Sequence, residues 1–391
     1  MLRFFSNSAG QSDSIRRADR RPAGALFFPL AALHAALAVP LSLAAMFGQL
    51  PALATPAAHG RELLFGFALA VMAGYLLGPL PPRRLALLAG LWLVGRLGGL
   101  AGYPAWPVLL ADVAFALLLA FLVVPRFLSA KKWRNRILSP LLGLLCLLAV
   151  ASLVARPAFP GLLSSLLHQG VLWLLLLMAF MGGRVIAPAV NGHLMARDRA
   201  TGAGVQPRLE AILTGLLGAA GLLALWPMLW PLAGALLALA GVVILVRLWR
   251  WKPWALRERP DLLGLLLGYA WLGGGALLMA GDLLAGGSLE GRLHAITVGA
   301  LGTLASGIML RQAILRAKGR PGEERWLPRL AGLFTLAAGL RLALPVAGLP
   351  ALWGAAGAWS LAWLLVAWRL VHWRRRGLAT AARAATPPAA N

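Results

Sequence analysis

Long apolar stretches separated by short basic loops constrain this chain more than any other feature of its sequence. Of its 391 residues, 60% are hydrophobic and 13% are charged. Roughly twelve stretches are long enough to cross a bilayer, since about 20 apolar residues in a helix span the hydrocarbon core. The sequence therefore predicts an all-α, polytopic membrane helix bundle of about twelve transmembrane helices. The spans cover residues 24–47, 62–80, 85–103, 106–125, 137–155, 164–190, 209–228, 230–246, 261–280, 293–315, 330–347 and 351–372.

The positions of the basic residues predict how the bundle is oriented. With a cytoplasmic N-terminus, most of the 37 Lys and Arg residues fall in the tails and in the loops on the inner side, whereas the outer loops hold only Arg61, Arg156 and Arg292. This asymmetry follows the positive-inside rule and places both termini in the cytoplasm. The net charge of +25 thus reflects orientation in the bilayer. It does not indicate nucleic-acid binding, for which the loops are too short.

Three regions follow from this pattern. Residues 1–23 form a basic cytoplasmic tail, residues 24–372 the transmembrane helical domain, and residues 373–391 a second tail that is basic and then disordered. The only cysteine, Cys146, lies in an apolar run, so the chain has no internal disulfide framework. The lipid bilayer is the one partner that the composition implies, and the oligomeric state stays open.

Histidines are few, and their depths in the predicted helices indicate one candidate site. His59, His168 and His294 lie near the outer ends of their spans, and His34 lies near the middle of the first span. Three imidazoles at one depth could bind a metal or haem iron. Alternatively, histidines at helix ends only meet lipid headgroups, and His34 is hydrogen-bonded inside the bundle without a ligand.

Small residues and charges mark the packing faces. Glu62, Gly66, Ala70, Gly74 and Gly78 recur every four residues, which predicts a close helix contact. Charges inside spans are costly and hence candidates for function. We expect a structural ion pair between two of them, Arg96 and Asp112. Pro188 should kink or end the helix that carries Arg184. The charged candidates within spans are Arg96, Asp112, Arg184, Arg311 and Arg341.

Three ordered segments of the chain are similar to segments of the NnrS family, bacterial inner-membrane proteins associated with haem, copper and nitric-oxide stress. The segment "AHGRELLFGFALAVMAGYLLGPLP" resembles a family signature that begins "WHAHE". The other two segments that resemble the family are "MGGRVIAPAV" and "HAITVGALGTLASGIMLR".

The resemblance implies a haem-binding protein, with haem (b-type) near the outer side between helices 2 and 10. His59 and His294 match family histidines and become the expected axial ligands, with His34 and His168 in reserve. Glu62 would hold an imidazole, and Arg61 would pair with a haem propionate. Arg184 and Arg311 match arginines of the two other segments. Nitric oxide or another small nitrogen species is the implied partner.

Arginine replaces histidine at two positions of the family pattern, Arg61 and Arg316. An arginine side chain has no lone pair to offer a metal, which argues against the copper site of the family. The same changes suit anions, so the alternative is a divergent, metal-free member that acts as a small-anion permease or a membrane scaffold.

The orientation can be tested with two reporter fusions. A reporter fused after residue 50 should read as extracytoplasmic, and one fused after residue 132 as cytoplasmic, because basic loops stay inside. The opposite pattern would invert the assignment of every helix end.

Overall fold

The computed structural model describes residues 20–48, 55–100, 105–155, 159–197, 206–287 and 290–385. These residues form twelve helices, one for each predicted span, and the expected helix bundle is confirmed. Eight of the helices are long and apolar enough to cross a membrane. The helices are α1 (Gly24–Met46), α2 (residues 56–76), α3 (Pro82–Leu100), α4 (Ala105–Leu128), α5 (Trp133–Val154), α6 (Pro160–Met195), α7 (Pro207–Leu223), α8 (Trp230–Arg250), α9 (Pro260–Ala285), α10 (Ala295–Arg316), α11 (Trp326–Leu342) and α12 (Leu344–Ala385).

Proline starts many of these helices. It occupies the first helical position in α2, α3, α6, α7 and α9. There its missing N–H would have no intrahelical partner, and its fixed φ suits a helix. Short 3₁₀ turns at Pro227–Leu229, Pro253–Leu256 and Pro321–Glu323 punctuate the connections. Proline therefore accounts for many of the boundaries between successive helices.

Two helices contain a π-helical segment. In α2, Glu62–Phe67 is π-helical between the α-helical parts Pro56–Arg61 and Ala68–Leu76. In α10, Ala295–Ala300 is π-helical and precedes Leu301–Arg316. Segments of this kind are rare and often accompany functional sites. Each lies within a few residues of a histidine, His59 or His294.

Helices that are neighbours in sequence pack side by side. Contacts between helices that are distant in sequence complete the bundle. Helix α12 lies along α1, where the Trp359 indole donates a hydrogen bond of 2.8 Å to the carbonyl of Ala35. Helix α6 contacts α5, α7, α9 and α10, and 78% of its apolar window is buried, against 28% for α4. Helix α6 is thus central and α4 peripheral.

Two short strands lie next to the ends of helices. Arg21–Pro22 (β1), which precedes α1, pairs antiparallel with Pro79–Leu80 (β2), which follows α2.

Two helices extend beyond the ends expected from the sequence. Helix α6 continues through Pro188 to Met195, since one lost backbone hydrogen bond is tolerated where the surrounding bundle supports the helix. Helix α12 continues to Ala385, so residues 379–385 are helical, in keeping with the high helix propensity of Ala and Arg. The rest of that tail, most of residues 1–23 and Arg156 lie outside the described residues. The orientation of the bundle stays a prediction.

The small-residue stripe of α2 lies at a tight helix contact, as predicted, and two glycines of α10 make similar contacts. A Cβ added to Gly74 would lie 2.5 Å from the Phe28 ring of α1. In α10, a Cβ on Gly299 would lie 2.5 Å from Trp271, and one on Gly302 would lie 2.6 Å from Phe334. Gly78 differs from the rest of its stripe: it follows the end of α2 with a φ of 65°. A left-handed conformation of this kind favours glycine.

The glycine contact of α2 can be tested by alanine substitution. We expect Gly74→Ala to destabilise the protein by about 1–3 kcal/mol, because the buried Phe28 ring must move. Gly90→Ala in α3 is the matched control, since a Cβ there meets no atom within 4 Å. Thermal unfolding in detergent measures both. Equal stabilities of the two variants would contradict the proposed contact.

Candidate functional site

Three of the six histidines line one cavity of about 540 Å³. His59 comes from α2, His168 from α6, and His294 directly precedes α10. Six helices surround the cavity, namely α1, α2, α6, α10, α11 and α12. The expected convergence of these histidines thus has a counterpart in the structure, as a shared cavity.

The cavity walls are mostly apolar. Leu64, Phe67, Val171, Leu301 and Trp359 are among the lining residues. The volume lies in the range of about 300–1,000 Å³ that is typical of small-molecule and cofactor sites. The cavity is therefore suited to a largely apolar ligand held by a few polar groups.

The hydrogen bonds of His294 determine which of its ring nitrogens is free. Its Nδ1 lies 3.0 Å from the carbonyl oxygen of Glu290 and 3.2 Å from that of Gly291. A carbonyl only accepts, so Nδ1 carries the proton and Nε2 keeps its lone pair. This is the tautomer in which a histidine ligates a metal through Nε2. In His59, the buried Nδ1 has no hydrogen-bond partner within the described residues.

Arg341 brings a positive charge to the cavity from α11. It lines the same cavity as His59 and His294. Within the described parts of the chain, no carboxylate lies within ion-pair distance of its guanidinium. The sequence pattern marks Arg341 as a charge within a span but does not assign it to the histidine site. Its depth near the outer end of its span, the same as that of the histidines, was the available signal.

Arg61 and Glu62 do not line this cavity, contrary to the arrangement expected from the sequence. Successive residues of an α-helix are about 100° apart, so Arg61 lies roughly 200° around α2 from His59. The guanidinium of Arg61 lies 3.5 Å from Oε1 of Glu62, on the α3 and α4 side of the helix. Arg341, and not Arg61, is the arginine that lines the cavity.

His34 belongs with Glu62 in a second, separate cluster. Its Nε2 lies 3.2 Å from the Glu62 carbonyl oxygen and 3.6 Å from Oε2 of the same residue. Arg96 of α3 donates to the Glu62 carboxylate and to the Asp112 carboxylate of α4, which confirms the expected pair of Arg96 with Asp112. We call these residues the four-helix polar cluster: His34, Arg61, Glu62, Arg96 and Asp112.

The charges of the four-helix polar cluster balance, and the cluster is buried beside only a small cavity. With His34 neutral, its two arginines offset its two carboxylates, and all four charged side chains are buried. The adjoining cavity of about 20 Å³ has room for about one water molecule. Unpaired charges are costly in a bundle surrounded by lipid. The cluster therefore ties α1, α2, α3 and α4 together.

Arg184 and Arg311 lie far from the histidines. They follow His168 and His294 by 16 and 17 residues on the same helices, which is roughly 25 Å at 1.5 Å per residue. Arg184 donates to Oδ1 of Asn135 at 2.7 Å, and Arg311 pairs with Asp261. Both arginines join helix ends and do not line the cavity.

A metal site built from protein ligands alone is not present in the described ranges. No three His, Cys, Asp or Glu side chains there converge at a spacing that could hold a metal ion. His59, His168 and His294 share the cavity without forming such a group. The donor set thus fits a group that needs one or two axial ligands, and it does not fit a copper ion held by several protein ligands.

The four-helix polar cluster gives a test by charge removal. Arg96→Met leaves the Asp112 carboxylate buried and unpaired, so we expect a loss of about 3–5 kcal/mol in stability. Adding Asp112→Asn removes that unpaired charge and should restore part of the loss. Thermal unfolding in detergent of Arg96→Met, Asp112→Asn and the double variant measures the three losses. Losses that simply add would contradict the coupling between Arg96 and Asp112.

Comparison with known proteins identifies the family. No curated protein and no solved structure matches the chain. The family model described as NnrS protein matches residues 25–376, which includes every helix of the bundle except the last turns of α12. The chain is a multi-pass membrane protein that belongs to the NnrS family.

Proposed function

We propose that this protein binds haem in the bacterial inner membrane and takes part in the response to nitric oxide or related nitrogen oxides. The haem, of b-type, would occupy the histidine-lined cavity between α2 and α10, towards the outer side. The observation that carries the proposal is that His59 and His294, on different helices, line one cavity of suitable size.

The chemistry of the cavity fits haem in three respects. Its apolar walls suit the faces of a porphyrin ring, and haem iron needs only one or two axial ligands. His294 keeps a free Nε2 because its Nδ1 is held by two backbone carbonyls. The buried Nδ1 of His59 has no hydrogen-bond partner among the described residues, so it could bind a ligand.

Each side chain has a distinct role in this proposal. His59 and His294 would be the axial ligands, and His168 lies on the same cavity as a reserve ligand. Arg341 would pair with a propionate, since guanidinium groups bind carboxylates by charge-assisted hydrogen bonds. When bound, haem would supply an iron atom that can take nitric oxide as a ligand. The protein's own contribution is to hold the imidazoles and to keep the surroundings apolar.

Absorption spectroscopy of the purified protein tests this proposal. Protein from haem-replete cells should show a Soret band that disappears in the double variant His59→Ala, His294→Ala, because both axial nitrogens are lost. The matched control is His193→Ala, His372→Ala, which removes two histidines at the opposite helix ends and should keep the band. A colourless wild-type preparation would rule out haem binding.

One observation favours a second candidate function, the binding or passage of a small anion. Arg341 lines the cavity beside three histidines and has no carboxylate partner in the described parts of the chain. In that case a metal-free protein should bind a small anion saturably, and Arg341→Gln should abolish binding. Arg61→Ala should have little effect, because Arg61 faces the four-helix polar cluster. With haem as ligand, Arg341→Gln should instead weaken haem retention while the Soret band persists.

A further inference from the structure

A large basic pocket lies at the opposite end of the bundle from the histidine-lined cavity. Its volume is about 720 Å³, and it is formed by the loop from Ala317 to Arg325, the start of α11 and the last turns of α12. Arg374 of α12 reaches the carbonyl of Ala25 at 3.5 Å, so this end also holds the start of α1. Six cations line the pocket: Lys318, Arg320, Arg325, Arg329, Arg369 and Arg376.

A buried carboxylate organises the floor of this pocket. Glu324 accepts hydrogen bonds from the Arg369 guanidinium, the Trp373 indole at 2.7 Å and the Trp326 backbone N–H at 3.2 Å. Burial alone would raise the pKa of Glu324, but the hydrogen bonds from Arg369 and Trp373 lower it below its usual value. The carboxylate therefore stays ionised, and it joins the loop firmly to α12.

The loop backbone is adapted to this contact. Lys318 has a φ of 57°, and Gly319 donates from its N–H to the carbonyl of Ile314 at 2.9 Å, which ends α10. A Cβ on Gly319 would lie 2.6 Å from the Trp373 ring. The glycine thus lets the indole pack directly on the loop. The pocket is therefore formed by three packed elements, and hydrogen bonds to Glu324 connect its floor.

Most of the cations at the rim have no acidic partner. Glu323 pairs with Arg320 at 3.2 Å, and Glu324 pairs with Arg369. Within the described residues, no carboxylate lies within ion-pair distance of Lys318, Arg325, Arg329 or Arg376. Arg329 lies 5.1 Å above the Trp326 ring and Arg376 lies 5.2 Å above the Trp373 ring. Stacking holds these two guanidiniums in place while their N–H donors stay available.

An exposed aromatic surface adjoins the pocket. Trp368 is 51% exposed, and its ring packs edge-on against Trp326 at 5.5 Å. Tryptophans at the ends of membrane helices mark the level of the lipid headgroups. Clustered arginines at that level, with several donors each, match the phosphate oxygens of an anionic lipid. A free phosphate would use the cations but would leave the neighbouring aromatic surface unused.

We propose that this pocket binds the phosphate of an anionic phospholipid headgroup, with the acyl chains lying against the Trp326–Trp368 surface. The proposal does not depend on haem binding, because the pocket and the histidine-lined cavity are at opposite ends of the bundle. It assigns a function to the loop segment "RPGEER", which the site at the histidine end does not involve.

Native mass spectrometry of the full-length protein can test this site. The protein is reconstituted with phosphatidylcholine alone or with added cardiolipin, and the phospholipids that it retains are counted. We expect retained cardiolipin in the wild type. In Arg329→Gln, Arg376→Gln the affinity should fall on the order of tenfold or more, since each basic residue near the surface contributes about 1 kcal/mol. Inorganic phosphate at increasing concentration should compete.

The matched control carries the same charge change, with both substitutions on α12. Arg375→Gln, Arg383→Gln removes two exposed arginines of α12 that do not line the pocket and should retain cardiolipin. Equal losses in the two double variants would overturn the pocket, and so would a wild-type protein that binds inorganic phosphate but retains no cardiolipin. If the first variant fails to fold in neutral lipid, Lys318→Gln, Arg325→Gln removes two rim cations in the exposed loop. Unchanged retention in that variant would overturn the proposal.

Discussion

The structure depends above all on the cost of an unpaired charge inside a helix bundle surrounded by lipid. Arg247, which is fully buried, lies 3.0 Å from Glu210, and the Arg311 guanidinium meets Asp261. Arg96 contacts two carboxylates at once. Each pair joins different helices, so satisfying a charge also fixes a helix neighbour. The energetic requirement to pair charges therefore contributes directly to the arrangement of the bundle.

Against this background, the arginines that lack a carboxylate in the described residues are informative. Arg341 lies in a cavity with three histidines, and the rim cations of the basic pocket lie beside exposed tryptophans. Both places suit a negatively charged group, which we propose to be a haem propionate at one end and a lipid phosphate at the other. In these two proposals, the ligand supplies the negative charge that the described residues do not provide.

The depth of each site residue in the bundle could be predicted from the sequence, whereas the direction of its side chain around the helix axis could not. Depth along a helix follows from counting residues, so the meeting of His59, His168 and His294 at one level could be predicted. Direction around a helix axis was harder to predict, because it depends on which neighbouring helices pack against each face of the helix. Arg61 and Glu62 immediately follow the histidine segment but face α3 and α4. His34 was expected as a reserve ligand of the histidine site. Its ring nitrogen instead contacts the carbonyl oxygen of Glu62, and its side chain does not line the cavity.

The number of helices, their approximate bounds, the family and the level of the histidines could be predicted from the amino-acid sequence. These properties follow from apolar length, proline positions and local motifs, all of which are recorded along the chain. The packing of the helices places Arg341 in the histidine cavity, Arg96 between Glu62 and Asp112, and the last basic loop over α12. Those contacts join residues far apart in sequence. They depend on which helices become neighbours and on how each helix is rotated about its axis, and neither quantity can be read from one segment alone.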